Sequence, residues 1–228
     1  VSVLESFKRG EEIQIPFVGR VAVCDWTVSL PKFMKQADTL IVDPPRNSEG
    51  YRSFYHRVGV RMDADPDFSI LSDALFARIA EINPVSMFIG IGNRMKPDYL
   101  ERAAAQFRHV TSYVTYYHPG GAVEHLVYAT NESVLVPYSN LEEGLRSHTI
   151  KWLCANHPAR CIGDLCMGYG DVGKAAIKAG RRFVGVDINA RRISNFVAAV
   201  SKPDVKTICK RIPRLEHDIS METLAGLL

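Results

Sequence analysis

The sequence predicts an α/β fold: a doubly wound, mostly parallel sheet with an antiparallel edge hairpin. Three observations predict it. Apolar runs of strand length alternate with amphipathic runs of helix length over most of the chain. The stretch 160–193, RCIGDLCMGYGDVGKAAIKAGRRFVGVDINARRI, reads as strand, glycine turn, helix and second strand, one unit of a parallel sheet. Between 110 and 130 the alternation stops, and two strand-like runs flank His118-Pro119-Gly120-Gly121, a hairpin signal.

In chain order, residues 1–19 give no clear element, and Pro16 suggests an irregular lead-in. Residues 20–24 (RVAVC) read as a short strand ending on Asp25, and residues 30–35 as a helix starting near Pro31. The apolar strand 39–42 runs straight into Asp43-Pro44-Pro45-Arg46. Two prolines forbid both a helix and further ladder bonds, so the acid is left at the strand's carboxyl end. Residues 69–82 form an amphipathic helix, with Ile70, Leu71, Ala74, Leu75, Ile79 and Ile82 on one face and Pro84 beyond its end. A buried strand (85–91), a helix (97–107) and the hairpin strands (110–117 and 123–129) follow. Residues 149–156 are helical and lead into the strand 161–166 before the glycine turn. Val172, Ala175, Ala176 and Ala179 mark the helix after it, and 183–186 a strand closed by Asp187. Ile193, Phe196, Val197 and Val200 mark a further helix. The tail from Lys202 offers a strand at 205–209 and a helix after Ser220.

The 228 residues suit one α/β domain spanning 1–228, with no internal repeat and no linker rich enough to divide it. A hydrophobic content of 46% and a charged content of 23% are those of a globular chain. No apolar run reaches membrane-spanning length and no cleavable leader pattern opens the sequence, so a cytoplasmic protein is expected. The five cysteines are odd in number and lack a CxxC pair, which argues for reduced thiols and against a zinc site or disulfide framework. The formal charge of +3 permits a nucleic-acid partner without requiring one. The segment 47–61 is a different kind of stretch. It interleaves Arg52, His56, Arg57 and Arg61 with Tyr51, Phe54 and Tyr55. Aromatics to stack on bases beside arginines to meet phosphates suit a nucleic-acid loop. A solvated loop with aromatics tucked beneath it accounts for the composition equally well.

Asp25, Asp43, Asp164 and Asp187 all fall at strand carboxyl ends, the edge where open α/β sheets bind ligands. Gly168, Gly170 and Gly173 form GxGxxG, which lets backbone approach a ligand closely beside an electropositive helix N-terminus. Asp187 lies about 20 residues after Gly168, where a carboxylate can accept ribose hydroxyl hydrogens. A glycine turn can be purely structural, but the flanking strands and the closing acid favour a nucleotide-like cofactor. A nicotinamide-dependent dehydrogenase would use the turn and Asp187 and leave Asp43-Pro44-Pro45 without a role. A transferase acting on an exocyclic amine uses both. Such an amine is conjugated to its ring and weakly nucleophilic. A carboxylate (Asp43) and a carbonyl (Pro44) accepting its two N–H bonds draw the nitrogen toward tetrahedral geometry and raise its reactivity.

These motifs, in this order, resemble those of the S-adenosylmethionine-dependent DNA amino-methyltransferases, in the permuted beta-class arrangement where Asp-Pro-Pro precedes the glycine motif. Asp43-Pro44-Pro45 is similar to the family's catalytic Asp-Pro-Pro-aromatic, with Arg46 at the aromatic's place. Asp164-Leu165-Cys166-Met167-Gly168-Tyr169-Gly170 is similar to Asp-Pro-Phe-x-Gly-x-Gly, with Cys166 in place of Phe. Gly180 to Asp187 resembles the family's ribose-binding strand, Val23-Cys24-Asp25 its adenine-side segment, and Val123 to Tyr128 its late strand. Thr149-Ile150-Lys151 resembles its Thr-x-Lys, with Ser147 where His is usual.

The resemblance implies a Rossmann-like methyltransferase fold and methyl transfer to an exocyclic amino nitrogen of a DNA base, N6 of adenine ahead of N4 of cytosine. It implies S-adenosylmethionine held by Asp25, Asp164, Cys166, Gly168, Gly170, Asp187, Thr149 and Lys151, with no metal. Asp43, Pro44, Pro45 and Arg46 are the implied catalytic residues. Tyr51, Arg52, Phe54, Tyr55 and Arg57 are assigned to the nucleic acid, on the expectation that 47–61 is a loop over the target base. The family's target-recognition insert between the two motifs is nearly absent, so the protein would read little sequence, use that loop, or rely on a partner chain; a homodimer or a partner specificity subunit is the partner considered. A methyltransferase-like DNA-binding subunit without strong activity, and an RNA amino-methyltransferase, are the alternatives.

Overall fold

The computed structural model describes residues 7–60, 67–116, 123–133 and 144–201. Among them an eight-stranded sheet runs in the order β1-β2-β8-β7-β3-β4-β6-β5. The strands are β1 (Glu12–Ile15), β2 (Gly19–Val23), β3 (Thr39–Val42), β4 (Ser86–Gly92), β5 (His109–Tyr116), β6 (Val123–Thr130), β7 (Cys161–Asp164) and β8 (Arg182–Asp187). The centre, β2-β8-β7-β3-β4, is parallel. β6 and β5 extend it antiparallel past β4, in register from His109↔Thr130 to Tyr116↔Val123. The turn at 118–121 and the readings beyond 201 lie outside the described residues.

Side-chain alternation along each strand feeds two cores, one on each face of the sheet. Leu40, Val42, Met87, Ile89, Val184 and Val186 point into one core, under α2 (Phe68–Ile82) and α3 (Lys96–Ala104). Ile41, Phe88, Ile162 and Phe183 point into the other, under α4 (Ser147–Asn156), α5 (Asp171–Lys178) and α6 (Ala190–Val200). α2 starts where the Asp67 carboxyl accepts the Ser69 N–H and ends at Asn83 in the left-handed region, just before Pro84.

Three local expectations change. The region 30–35 is a 3-10 turn, Lys32–Gln36, because the chain must cross β8 and β7 in few residues to reach β3 and turns extended at Ala37. Gly163 makes room for that crossing, since a Cβ there would come within 2.7 Å of Ala37 Cβ. The lead-in contains an edge strand, β1, paired antiparallel to β2 through a turn at Pro16 to Val18. The segment 47–61 carries a helix where a loop was expected: α1, Ser48–His56. Asn47 nucleates it by accepting the Gly50 N–H at 2.7 Å, and Tyr51 and Tyr55, one turn apart, meet edge to face at 5.0 Å. Arg61 lies outside the described residues.

Along the sheet, β7 leads to β8 in one direction and β3 leads to β4 in the other. Loops leaving β7 and β3 therefore part, and a crevice opens at the carboxyl edge between them.

Candidate active site

Four acids line that edge in spatial order Asp25, Asp187, Asp164, Asp43, at or just beyond the ends of β2, β8, β7 and β3. Three are buried: Asp25, Asp187 and Asp164 are 7%, 4% and 3% exposed. Asp43 is open, its side chain 42% exposed. The difference sorts their roles. Burial pushes Asp164 well above the usual carboxylate range, the Cys166 N–H opposes it, and the nearby charges of Asp187 and Asp43 push the same way as burial. Its Oδ1 accepts the Cys166 N–H at 2.8 Å and turns the chain out of β7. Burial also raises Asp187, restrained by backbone N–H groups of Asn189 and Gly168 and by Arg192.

The three turn glycines do separate work. Gly168 has φ +53 and open space where a Cβ would stand, the nearest atom being Cys166 O at 3.8 Å. Its N–H donates to Asp187 Oδ2 at 2.7 Å. Gly170, at φ +76, caps α5, and a Cβ there would come within 2.3 Å of Phe196. Gly173 is equally closed, at 2.8 Å from Phe183 and Phe196. Gly168 thus has room around it at the turn, while Gly170 and Gly173 let α5 and α6 close on the sheet.

A cleft of about 410 Å³, open to solvent, is lined by Asp25, Trp26, Tyr51, Phe54, Tyr55 and Asp187, among others, with Pro45, Leu165, Cys166 and Ile188 on its apolar surface. The aromatics assigned from sequence to the nucleic acid therefore wall the same cleft as Asp25 and Asp187, because α1 contributes Tyr51, Phe54 and Tyr55 to it. Tyr55 Oη donates to Asp25 at 2.8 Å from each carboxylate oxygen. Thr27 adds its N–H and hydroxyl to Oδ1, and Arg9 an ion pair to Oδ2 at 3.1 Å. Those bonds occupy Asp25 fully, so its carboxylate shapes the wall. Trp26, Thr27 and Val28 are held from behind by Arg78 of α2, which donates to their carbonyls. Also on α1, Phe54 lies 5.4 Å from the Arg192 guanidinium, which is 5.2 Å from the Tyr169 ring. Arg192 also approaches Asp187 Oδ2 at 3.8 Å.

Cys166 faces the cleft with its thiol pushed well up, by burial first and then by Asp164, Asp187 and Asp43. Pro44 and Pro45 are buried, and Pro45 joins the Asp43 turn to the cleft. Arg46 donates from Nη2 to Asp43 Oδ1 at 3.0 Å and from Nη1 to Glu124 on β6. Arg52 and Arg57 are exposed on α1, Arg57 resting 5.8 Å from the Phe54 ring. Thr149 is buried in α4 and Lys151 exposed on it, and neither lines the cleft. Among the described residues no group of acids, histidines and cysteines could hold a metal, and no helix is long and apolar enough to cross a membrane.

Sequence reasoning passed over Trp26, Thr27, Glu124, Tyr169 and Arg192. Asn189 was a readable signal for Arg192, because it caps α6 by accepting the Arg191 and Arg192 N–H bonds. Glu124 reaches Arg46 across 78 residues, and no local pattern announces that.

No family model matches the sequence, and no curated protein matches it. Among solved structures, the chain is similar to TTHA0409 of Thermus thermophilus, named a DNA modification methylase, with a TM-score of 0.58 at 13% identity, covering 81% of this chain and 95% of that one. The same protein complexed with S-adenosyl-L-methionine gives 0.53 at 14% identity, covering 86% and 95%. M1.HpyAVI gives 0.52 at 15% identity, covering 77% and 95%. These likenesses establish a shared α/β fold with an antiparallel extension.

Proposed function

We propose that this protein methylates an exocyclic amino nitrogen of a DNA base, N6 of adenine in preference to N4 of cytosine, using S-adenosylmethionine. The observation that carries the reading is that Pro45 of the Asp43-Pro44-Pro45 turn lines the same cleft as Asp187, whose carboxylate accepts the Gly168 N–H of the glycine turn. The neighbours named above, one of them complexed with this cofactor, support it. The cleft fits the cofactor: aromatic and aliphatic walls suit a purine, and each Asp187 oxygen, with one backbone N–H bound, keeps acceptor capacity for a ribose hydroxyl.

When bound, S-adenosylmethionine supplies the methyl: the amine lone pair forms the N–C bond as the C–S bond breaks and its electrons stay on sulfur. The chain's own work is positioning and polarisation. Asp43 and the Pro44 carbonyl accept the two amine N–H bonds, and the proton shed after transfer leaves through Asp43 to solvent. Gly168 and Asp187 hold the sugar end of the cofactor, while Cys166, Leu165 and Ile188 pack against it. Tyr51, Phe54 and Tyr55 serve the cofactor wall. Arg52 and Arg57, exposed on the outer side of α1, meet DNA phosphates. Gly170 and Asp164 act by shaping the turn.

The test is transfer of labelled methyl into DNA, with RNA in parallel, followed by digestion to nucleosides. N6-methyladenine is the expected product. N4-methylcytosine changes the base, label in RNA alone changes the substrate, and DNA binding without transfer identifies a binding subunit.

A further inference from the structure

We propose that Glu124 is a positioning residue, acting through Arg46 to hold the Asp43 carboxylate oriented toward the target amine. This rests on the function proposed above. Asp43, Arg46 and Glu124 lie in a row across β4, at 42%, 24% and 15% side-chain exposure. The row crosses β4 at two glycines. A Cβ at Gly90 would come within 2.9 Å of Asp43 Oδ1, and one at Gly92 within 3.6 Å of Arg46 O. Glu124 pairs directly opposite Gly92 in the β4–β6 ladder, so the sheet register itself presents it to Arg46. Burial opposes the charge on Arg46, but Asp43 and then Glu124 more than offset it, and the guanidinium stays ionised.

Charge arithmetic gives the row its consequence. A guanidinium paired with Asp43 alone makes a neutral unit and draws electron density from the oxygen that must accept an amine N–H. One guanidinium shared between two carboxylates leaves a net negative charge, and Glu124 pulls the positive end away from Asp43. The bond to Oδ1 also fixes the rotation of the Asp43 carboxyl and leaves Oδ2 for substrate.

The experiment is single-turnover methyl transfer to DNA by Glu124→Gln, Glu124→Asp, Arg46→Ala and the Arg46→Ala/Glu124→Gln double variant. Cofactor affinity is measured in parallel by calorimetry. Glu124→Gln keeps the size and the hydrogen bond and removes the charge. Its rate is expected to fall ~10-fold or more with KM for DNA and cofactor Kd within about two-fold of the original. Glu124→Asp should recover part of the rate. In the Arg46→Ala background Glu124→Gln should cost nothing further, because the path between the carboxylates is gone. A Glu124→Gln rate equal to the original, or an equal loss with and without Arg46, overturns the role. An original chain that binds cofactor and transfers no methyl overturns the proposed function, and this role with it.

Discussion

The Tyr55 hydroxyl sits 2.8 Å from both carboxylate oxygens of Asp25, joining α1 to the end of β2 across 30 residues. That contact turns a nine-residue surface helix into one wall of the cleft. Tyr55→Phe removes the shared donor and leaves Asp25 to Thr27 and Arg9. A hydrogen bond to a charged group is worth ~1.5–3 kcal/mol, and half-exposure places this one at the lower end. The expected result is a loss of about 1.5 kcal/mol in urea unfolding and a roughly ten-fold weaker cofactor Kd by calorimetry. An unchanged Kd would remove α1 from the cofactor site.

Arg192 fastens the same helix, between Phe54 and Tyr169. Each such cation–ring contact contributes ~0.5–1 kcal/mol. Arg192→Ala should raise amide hydrogen exchange across Ser48–His56 while leaving α2 protected. Exchange unchanged in α1 would show that Tyr51 and Tyr55 hold the helix alone.

The glycines separate by experiment as they do by geometry. Gly170→Ala meets Phe196 and a left-handed backbone, so strain of ~1–2 kcal/mol adds to overpacking of ~1–3 kcal/mol. Gly168→Ala carries the backbone strain without the clash and should cost only ~1 kcal/mol in unfolding. Its Cβ projects on the open side, so cofactor affinity is where it should fail. Equal stability losses for the two would contradict this division.

Much of this was legible in sequence because local rules and tertiary demands agreed. Strand β3 was read to the residue, and the acids at the strand ends follow from the apolar runs that precede them. The helix at 48–56 was missed because its arginines and aromatics were weighed by composition, whereas Asn47 as a cap and the Tyr51–Tyr55 spacing carried the helical signal. β1 was hidden by Pro16, which sits in the turn after the strand. Glu124 reaches the site only through the sheet order.

Acid sensitivity should trace in part to His157, buried against Phe88. Burial, and after it Arg181, lower its pKa from 6.5 to about 4. A histidine lowered in the folded state contributes stability that is whole above its unfolded value and is lost as pH falls through the folded one. The window is therefore pH 6.5 down to about 4, and the loss is roughly 3 kcal/mol across it. His157→Leu should flatten that part of the stability–pH curve. Asp164 and Asp187, raised by burial, act with the opposite sign in both proteins, so the difference between the two curves isolates His157. Parallel curves would contradict the assignment.

In the proposed reaction Asp43 accepts the target amine beside a cofactor held at Gly168 and Asp187. Single-turnover transfer of labelled methyl from S-adenosylmethionine into DNA, comparing the chain with Asp43→Ala at saturating cofactor, tests it most directly. N6-methyladenine is expected from the original chain, and a rate at least ~100-fold lower from Asp43→Ala with cofactor affinity retained. Equal rates from the two proteins would contradict it.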